Sequence, residues 1–352
     1  MGGSWCAASF AEAVPPKTDD WRAGLAIVPR ELIMTEHALI ALLADGNFHS
    51  GEKLGALLGV SRTAVWKQLQ KLESIGIELE SVKGLGYRIA GGLDLLDREA
   101  VLASMGDAAG VCTLTLLGET VSTNDWVKAT NGSWRGVTCL AERQLGGRGR
   151  RGRSWVSPYG RNLYLSMGWE FEGGVAALEG LSLAVGVAIC RILGGQKAAG
   201  VALKWPNDVL FEGRKLAGVL VELQGDPSGV CQVVVGVGIN HHMGPAGKAI
   251  DQPWADATEV VSMSRSELAG RLIGELAGVL EVFSLQGFSA CRDEWSHYDV
   301  TRDQPVTLMT AAGAIEGVAR GITEGGALLV ETGSGIETFH GGEVSLRVRH
   351  DP

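Results

Sequence analysis

Apolar residues between Thr35 and Ala90 recur first with helical and then with strand spacing, and this change of period restricts the region to few folds. The predicted elements are a helix from Thr35 to about Gly46, a helix over Gly51–Leu58, a longer helix from Ser61 to Ile75, and strands over 77–82 and 86–90. Ser61 has the hydroxyl that an N-cap position needs. Three short helices followed by a two-stranded hairpin are typical of a winged helix-turn-helix domain.

The third predicted helix contains residue types that contact nucleic acid. Its cations have no acidic neighbour before Glu73, and its first turn exposes hydroxyl and guanidinium groups. The residues predicted to contact DNA, within a helix-turn-helix over 51–70, are Gly51, Ser61, Arg62, Thr63 and Lys67. A protein–protein module with a solvated charged face is the alternative. Residues 34–93 contain six acids and six bases, which predicts weak non-specific affinity for DNA.

The rest of the chain mixes strand and helix patterns and ends in strands alone. Strands are predicted at 112–117, 137–141, 162–167, 201–204, 216–223 and 230–237, and helices at 124–130, 176–193, 267–285 and 291–295. Glycine-broken strands from Gln304 to Val348 are typical of a small β-barrel. The predicted division is a disordered extension over 1–33 with Met34 as a candidate start, a DNA-binding domain over 34–92, a mixed α/β domain over 93–300 and a β-barrel over 301–352.

Composition indicates a soluble globular protein with a reduced interior. The 352 residues are 45% hydrophobic with a formal net charge of -9, which suits two or three domains. Six widely spaced cysteines form no CxxC pair, which favours reduced thiols in a cytoplasmic protein and gives no signal for structural zinc. The apolar run Leu181–Cys190 is too short to span a bilayer, so no membrane segment is expected.

The segment Gln144–Trp155, which reads QLGGRGRRGRSW, places four arginines in a glycine-spaced run. From Arg143 to Trp169 there are six arginines and no Asp or Glu, so neighbours in sequence cannot neutralise them, and we expect an external anion to do so. Glycines 147, 149 and 152 match the dinucleotide-binding pattern, but the helix that this motif requires does not follow. A Walker loop would need a Lys-Ser/Thr pair after the last glycine. The remaining interpretation is a mobile loop that wraps a phosphate or carboxylate.

Three further clusters contain polar or charged residues at predicted strand ends. They are Lys204–Asp208 (KWPND), Arg214–Gly218 (RKLAG) and Gly236–Asn240 (GVGIN). Each by itself is compatible with ordinary turn chemistry. Because each lies where a strand begins or ends, together they predict one site at a sheet edge.

In this order, and after Ser122-Thr123-Asn124, the motifs GRGRRGR, KWPND, RKLAG and GVGIN resemble those of bacterial biotin protein ligases. The N-terminal domain makes the chain similar to the bifunctional form that also represses the biotin operon. The resemblance runs from about Met34 to Arg347. It implies an α+β multidomain fold: a winged helix-turn-helix, a central mixed α/β domain like that of class II synthetases, and a C-terminal SH3-like β-barrel.

The resemblance implies a two-step ligase reaction. Biotin and ATP, with Mg²⁺, give biotinyl-5′-AMP and pyrophosphate, and a lysine of the biotin carboxyl carrier protein of acetyl-CoA carboxylase then takes the biotin as an amide. It also implies a homodimer in the adenylate-bound state that binds operator DNA and represses transcription. The carrier must be a separate protein, because the chain has no Met-Lys-Met acceptor motif.

The resemblance further implies roles for individual residues. The expected biotin-binding residues are Ser122, Thr123, Asn124, Gln144, Gly147, Arg148, Gly149, Arg150 and Lys215. The expected nucleotide-binding residues are Arg151, Arg153, Trp155, Asn207 and Asn240. The expected catalytic residues are Lys215, Arg150 and Asp208, with Asp208 assisting Mg²⁺ or the incoming lysine; no metal-ligand set is expected from the protein itself.

Three other functions compete with this interpretation. A repressor could sense a small ligand with a non-catalytic α/β domain, and a lipoate or other acyl-carrier ligase would have a related fold. The GRGRRGR loop argues against the lipoate enzymes. An RNA-binding arginine–glycine tract is the third alternative, and the strands predicted on both sides of the run argue against it. The sequence identifies neither the carrier protein nor the operator.

Overall fold

The computed structural model describes residues 30–194, 199–225, 229–310, 313–341 and 345–348. The predicted extension over 1–33 lies outside this part of the chain except for residues 30–33, which belong to the first helix. That helix therefore begins ahead of Met34.

The N-terminal domain has the predicted winged helix-turn-helix fold. Its elements are α1 (Arg30–Leu43), α2 (Gly51–Leu58), α3 (Arg62–Ser74), β1 (Leu79–Val82) and β2 (Gly86–Ile89). The Ser61 side chain accepts a hydrogen bond from the Ala64 amide and caps α3 as predicted, and Ser50 caps α2 in the same way. One apolar cluster, which includes Leu39, Leu54 and Leu69, holds the three helices together.

The central domain is a mixed α/β unit built on a seven-stranded sheet. Its elements are α4 (Arg98–Ser104), β3 (Thr113–Leu117), α5 (Thr123–Lys128), β4 (Val137–Ala141), β5 (Leu163–Phe171), α6 (Leu181–Ile192), β6 (Val201–Lys204), β7 (Asp208–Phe211), β8 (Arg214–Gly225), β9 (Cys231–Ile239), α7 (Arg265–Gln286) and α8 (Ser289–Tyr298). The strand order is β3-β4-β5-β9-β8-β7-β6, with β3 and β4 parallel and the other pairs antiparallel. No α-helix follows the glycine pattern of the arginine run, in agreement with the rejection of a dinucleotide fold.

The two faces of this sheet differ in what they contact. Leu165, Met167 and Val235 belong to the main apolar core, in which α6, α7 and α8 also pack. Because successive side chains of a strand point to opposite faces, Cys139 and Val234 lie on the other face, where they pack with α5 in a small separate cluster. The face that α5 covers only in part is where the candidate site lies.

The differences from the prediction include two short elements and the start of α6. The sequence patterns predicted neither α4 nor β7. The helix predicted over 176–193 was wrong at its start, since residues Val175–Leu178 form a 3₁₀ turn and α6 begins only after Gly180, which has φ 78°. The left-handed backbone at Gly180 interrupts what looks in sequence like one continuous helix.

One stretch among the described residues, Val175–Ile192, is long and apolar enough to cross a membrane by length and composition. Most of its helical part is buried in the protein core, including every residue from Leu183 to Cys190. Buried core helices commonly have such a composition.

The C-terminal domain is a five-stranded antiparallel sheet. Its strands are β10 (Pro305–Thr310), β11 (Gly313–Ile322), β12 (Leu328–Thr332), β13 (Gly335–Phe339) and β14 (Ser345–Val348), in the order β13-β12-β11-β10-β14. Its apolar residues, such as Val306 and Leu328, are part of the same core as the central domain. The buried Trp205 Nε1 donates to the Gly326 carbonyl at 3.0 Å and fixes the two domains together.

A buried ion pair anchors the connector between the N-terminal and central domains. The Arg265 guanidinium lies 2.8 Å from the Glu142 carboxylate, and both side chains have 0% exposure. Arg265 also donates to the carbonyls of Asp94 and Asn162, and Glu142 accepts from the Leu96 amide at 2.6 Å. The pair therefore ties the connector to the end of β4 and the start of α7.

Tyr159 of the central domain forms a second link, because its ring packs in the apolar core of the N-terminal domain. Its hydroxyl lies 3.1 Å from His37 Nδ1 on α1. Tyr159 follows Trp155 after a three-residue segment, so the same loop contacts the N-terminal domain and the candidate site.

Candidate active site

A small cluster of buried and partly buried polar side chains, called the polar pocket below, lies at the start of α5. Thr123 donates to the Gln144 amide oxygen from its backbone and from its hydroxyl, at 2.9 and 3.1 Å. The Ser166 hydroxyl on β5 lies 2.7 Å from Thr123 Oγ1 and 2.5 Å from Asn124 Oδ1. Ser122, Thr123 and Asn124 are all buried. The structure therefore brings together four predicted biotin residues, Ser122 to Asn124 and Gln144, and adds Ser166.

Ser166 was not among the predicted site residues. Its only signal was a hydroxyl within the apolar strand pattern LYLSM. Register explains its position: Ser166 pairs with Cys139 and Gly236 on the site face of the sheet. Gly236 must lack a side chain, because a Cβ there would lie 2.3 Å from Asn124 Oδ1.

Trp155 lies on the same face, against the backbone of β8 and β9. A Cβ at Gly238 would lie 2.5 Å from the indole Cε2, and one at Gly218 would lie 3.2 Å from Cζ3. In the motif GVGIN, Gly236 thus makes room for Asn124 and Gly238 makes room for Trp155. The buried Trp155 Nε1, which lies close to Gly238, has no hydrogen-bond partner among the described residues.

Lys215 and Asp208 form an ion pair beside this tryptophan. Lys215 Nζ lies 2.6 Å from Asp208 Oδ1 and 5.6 Å from the centroid of the Trp155 ring. A β-bulge explains the geometry: Val209 pairs with Ala217 but Leu210 pairs with Lys215, so one extra residue of β8 faces β7. The bulge places Lys215 on the same side as Gly218, whose Cβ would lie 3.4 Å from Lys215 Cε.

The turn after β6 adds further polar groups. Asn207 donates to the Val219 carbonyl at 2.8 Å and accepts from Arg150 at 3.2 Å. Arg150 also donates to the Gly341 carbonyl of the C-terminal domain. Burial lowers the pKa of Arg150 and of Lys204, and Asp208 opposes the decrease in both. A bound anion would offset the free-energy cost of burying these positive charges.

The arginine run folds into a compact turn that contacts the C-terminal domain. The Gly149 amide donates to the Arg153 carbonyl at 2.7 Å, and Arg151 has the left-handed φ of 57°. Arg151 donates to the Met309 carbonyl at 3.3 Å, while Arg153 is exposed. Gly147 is tightly enclosed, since a Cβ there would lie 2.8 Å from Ser157 Oγ. The run therefore lies between the pocket and the C-terminal sheet.

For Arg148, the expectation that an external anion neutralises the run was wrong. Its guanidinium forms two hydrogen bonds, of 2.6 and 2.8 Å, to the Asp125 carboxylate on α5, and Glu222 lies 3.6 Å away. The Arg148 hydrogen bonds lower the pKa of Asp125 to about 2, so this carboxylate is ionised at neutral pH. The neighbouring sequence has no acid, but the fold supplies one.

Asn240 supports the site from the end of β9. Its buried side chain donates to the Lys215 carbonyl at 3.1 Å, and its amide donates to the Leu216 carbonyl at 3.0 Å. The structure therefore places Asn240 behind the start of β8, where it holds the backbone of Lys215 in position.

The residues predicted to contact DNA lie in the N-terminal domain, away from this pocket. Ser61, Arg62, Thr63 and Lys67 are exposed at the start and along the outer face of α3. Gly51 is buried instead, in packing distance of Arg62 and Tyr87. Its position indicates a packing role in the helix-turn-helix.

The fold and the site together define a class of protein in which a ligase domain follows a DNA-binding domain. The chain matches the models of the Biotin/lipoate A/B protein ligase family over residues 119–240, of an HTH domain over 35–88, and of the biotin protein ligase C-terminal domain over 302–347.

Curated relatives and a solved structure agree with these matches. The chain is 43% identical to the bifunctional ligase/repressor BirA of Salmonella typhimurium and 42% identical to that of Escherichia coli, over 88% of this chain and 96% of each relative. It also resembles the biotin protein ligase from Aquifex aeolicus in complex with biotin and ATP, with a TM-score of 0.59 and 31% identity over 67% of this chain and 99% of that one. The chain belongs to the biotin protein ligase family.

Proposed function

We propose that the chain activates biotin with ATP to biotinyl-5′-AMP and transfers the biotin to a lysine of the biotin carboxyl carrier protein of acetyl-CoA carboxylase. One observation supports this most strongly: Lys215, Trp155 and the polar pocket of Thr123 and Asn124 lie on one face of the sheet, beside Arg150. This arrangement has neutral polar groups at one end and positive charge at the other.

In the first step, a biotin carboxylate oxygen attacks the α-phosphorus of ATP, and the bond to the β-phosphate oxygen breaks to release pyrophosphate. Both reactants are anions, so the enzyme must supply positive charge and alignment more than proton transfer. Lys215 and Arg150 are proposed to face the carboxylate and the α-phosphate, with Gly147, Arg148 and Gly149 flanking the carboxylate. Arg151 and Arg153 are proposed to contact the phosphates.

The polar pocket is proposed to bind the ureido group of biotin. Ser122, Thr123, Asn124 and Gln144 offer both donors and acceptors there, and Ser166 completes the set. The Trp155 ring is proposed to contact the adenine, with Asn207 and Asn240 supporting the nucleotide through the backbone and loops that they hold.

In the second step, the amine of the carrier lysine attacks the acyl carbon of the adenylate, and AMP leaves as the amide forms. Lys215 is proposed to stabilise the charge that develops on the acyl oxygen and phosphate. Asp208, held 2.6 Å from Lys215, is proposed to assist the incoming lysine by accepting its proton.

Mg²⁺ is proposed to enter as the ATP complex. The described residues contain no group of three or more His, Cys, Asp or Glu side chains that could hold a metal ion. Asp208 is the one carboxylate proposed to lie near the phosphates. A single protein ligand is compatible with a cation that is bound mainly by ATP oxygens and water.

Mass spectrometry of a biotin carrier domain incubated with the protein, biotin and ATP tests the proposed function. We expect a single biotinyl addition on a lysine, together with biotin-dependent exchange of pyrophosphate into ATP. A ligand-sensing repressor would show neither signal, and a lipoate ligase would modify the carrier with lipoate in a competition assay. Either of these outcomes would contradict the proposal.

We also propose that the protein represses transcription as a homodimer whose formation depends on biotinyl-5′-AMP. The winged helix-turn-helix supports DNA binding, and the arginine run, which contacts the site, continues through Tyr159 into the N-terminal domain. In gel-shift titrations we expect tighter operator binding with the adenylate than without it. Equal affinity in both states would exclude the switch.

A cytoplasmic location is proposed from the thiols. Cys112, Cys139, Cys190 and Cys291 are buried free thiols, and Cys231 is buried as well. Burial raises the pKa of Cys139 and Cys190, which keeps these thiols protonated and unreactive. Such thiols act as packing residues, as in a reducing compartment.

We expect Gly238→Ala to weaken nucleotide use selectively. The added methyl group would lie 2.5 Å from the Trp155 ring, so the indole must move away from β9. Because the indole is proposed to contact the adenine, its displacement predicts about a 10- to 100-fold loss of kcat/KM for ATP. Steady-state exchange kinetics with ATP and biotin varied separately would measure it.

Gly278→Ala on α7 is the matched control, because a Cβ there meets no atom within 4 Å. It should retain the kinetics of the unmodified protein. Unchanged kinetics in Gly238→Ala would show that the position of Trp155 does not matter for the nucleotide.

A further inference from the structure

Trp66 lies on the exposed face of α3, and the site described above does not involve it. Its side chain is 48% exposed, whereas Val65, Leu69 and Leu72 on the opposite face are buried in the domain core. Helical spacing puts Arg62, Thr63 and Gln70 on the same face as Trp66. A large aromatic surface thus stands among donors and a cation on the second helix of the helix-turn-helix.

This face borders a groove that is formed by neighbouring elements. The groove is lined by Gly51, Arg62, Thr63, Trp66 and Tyr87. Tyr87 on β2 exchanges two backbone hydrogen bonds of 2.9 Å with His49, which fixes the hairpin against the start of α2. Gly51 packs against the same residues, since a Cβ there would make ordinary van der Waals contact with Arg62 Cγ at 3.5 Å.

The charges around the groove favour duplex DNA as its occupant. Arg62 and Lys67 are exposed beside Trp66, and α3 contains no Asp or Glu before Glu73. In helix-turn-helix domains the second helix enters the major groove, where thymine presents a C5-methyl group beside hydrogen-bond acceptors. An indole bordered by a guanidinium and a hydroxyl matches this combination of an apolar group and acceptors.

We infer that Trp66 determines DNA sequence specificity by packing on the methyl group of a thymine in the operator. Arg62 and Thr63 bond to the neighbouring base edges or phosphates. The inference rests on the proposed repressor function and adds to it the identity of one base. Burial of a single methyl group against the indole predicts about three- to tenfold tighter binding of thymine than of uracil.

The test uses the full-length protein saturated with biotinyl-5′-AMP. A preferred sequence is first selected from a random duplex pool, and each of its thymines is then replaced by deoxyuridine, which removes only the methyl group. We expect one replacement to weaken binding of the unmodified protein about three- to tenfold. Trp66→Ala should bind the thymine and uracil forms equally, and Trp66→Phe should retain the preference.

Two controls separate base reading from other effects. Lys67→Ala should weaken binding to all sequences alike and lower the salt dependence, as expected for a phosphate contact. Trp66→Ala should retain full ligase activity, because the residue is exposed and lies outside the catalytic site.

Each outcome decides the inference. Discrimination that persists in Trp66→Ala, or the absence of any thymine whose methyl group matters, overturns it and leaves the repressor function intact. A Trp66→Ala protein that binds DNA normally but loses a protein partner also overturns it. If no sequence is enriched from the pool, the proposed repressor function and this inference fail together.

Discussion

Lys215→Ala is expected to lower the kcat/KM of biotin-dependent pyrophosphate exchange by at least about 10³-fold. The Lys215 ammonium forms an ion pair with Asp208 and lies 5.6 Å from the centroid of the Trp155 ring. It is proposed to offset the charge of the biotin carboxylate and the α-phosphate as they approach. Without it, two anions must meet beside the unpaired Asp208 carboxylate. The fold should remain, because the Lys215 side chain is not part of the apolar core.

Three comparisons make this prediction specific. Lys215→Arg retains the charge but not the compact shape of an ammonium group, so partial activity is expected. Lys53→Ala removes an exposed lysine from the N-terminal domain and should have no effect on exchange. Circular dichroism and thermal melting check that each variant is folded. Exchange at the wild-type rate by Lys215→Ala would refute the assignment.

Arg265→Ala is expected to destabilise the central domain by about 3–5 kcal/mol, because it leaves the Glu142 carboxylate buried without its counter-ion. Arg265 and Glu142 are both fully buried, and Arg265 also bonds to the carbonyls of Asp94 and Asn162. For a domain of this size the loss corresponds to a decrease of roughly 10 °C in the melting temperature. Calorimetry would follow the unfolding transition of the central domain.

Arg271→Ala on the same helix is the matched control. Arg271 pairs with Glu267 one turn away, but both side chains are largely exposed, so the expected change is within about 0.5 kcal/mol. Glu142→Gln supplies a second test, since it keeps the shape of the side chain and leaves the buried Arg265 charge without its counter-ion. Equal melting temperatures for the Arg265 and Arg271 variants would show that the buried pair does not stabilise the domain.

The N-terminal domain was predictable because its signals are local. Ser61 caps α3 through an amide three residues away, and Gly59 ends α2 with a left-handed backbone at φ 66°. Such interactions act between residues that are close in sequence. The missed strand β7 is only four residues long and follows directly after the KWPN turn, so it is too short for a periodic pattern. Its assignment depends on pairing with β6 and β8.

The candidate site was predictable only in part. The motifs KWPND, RKLAG and GVGIN do meet at one part of the sheet, because β7, β8 and β9 are neighbours. The partners Ser166 and Glu222 lie outside these motifs, and Asp125 follows Ser122-Thr123-Asn124 but had no predicted role. Asp125 reaches Arg148 across 23 residues, and Glu222 reaches Asn124 across 98. Contacts at such separations leave no periodic trace in a single sequence.

By itself, the sequence determined the helix-turn-helix, the mixed α/β and β-rich regions, the family resemblance, and the set of cations that an anionic substrate would need. These depend on local spacing and on residue types. The tertiary structure alone decided which groups meet: that Asp125 neutralises Arg148, that a β-bulge turns Lys215 toward Asp208, and that Gly236 and Gly238 make room for Asn124 and Trp155. The physical reason is that strand pairing and close packing bring together residues that are distant in the chain, and these contacts set the charge and shape of the site.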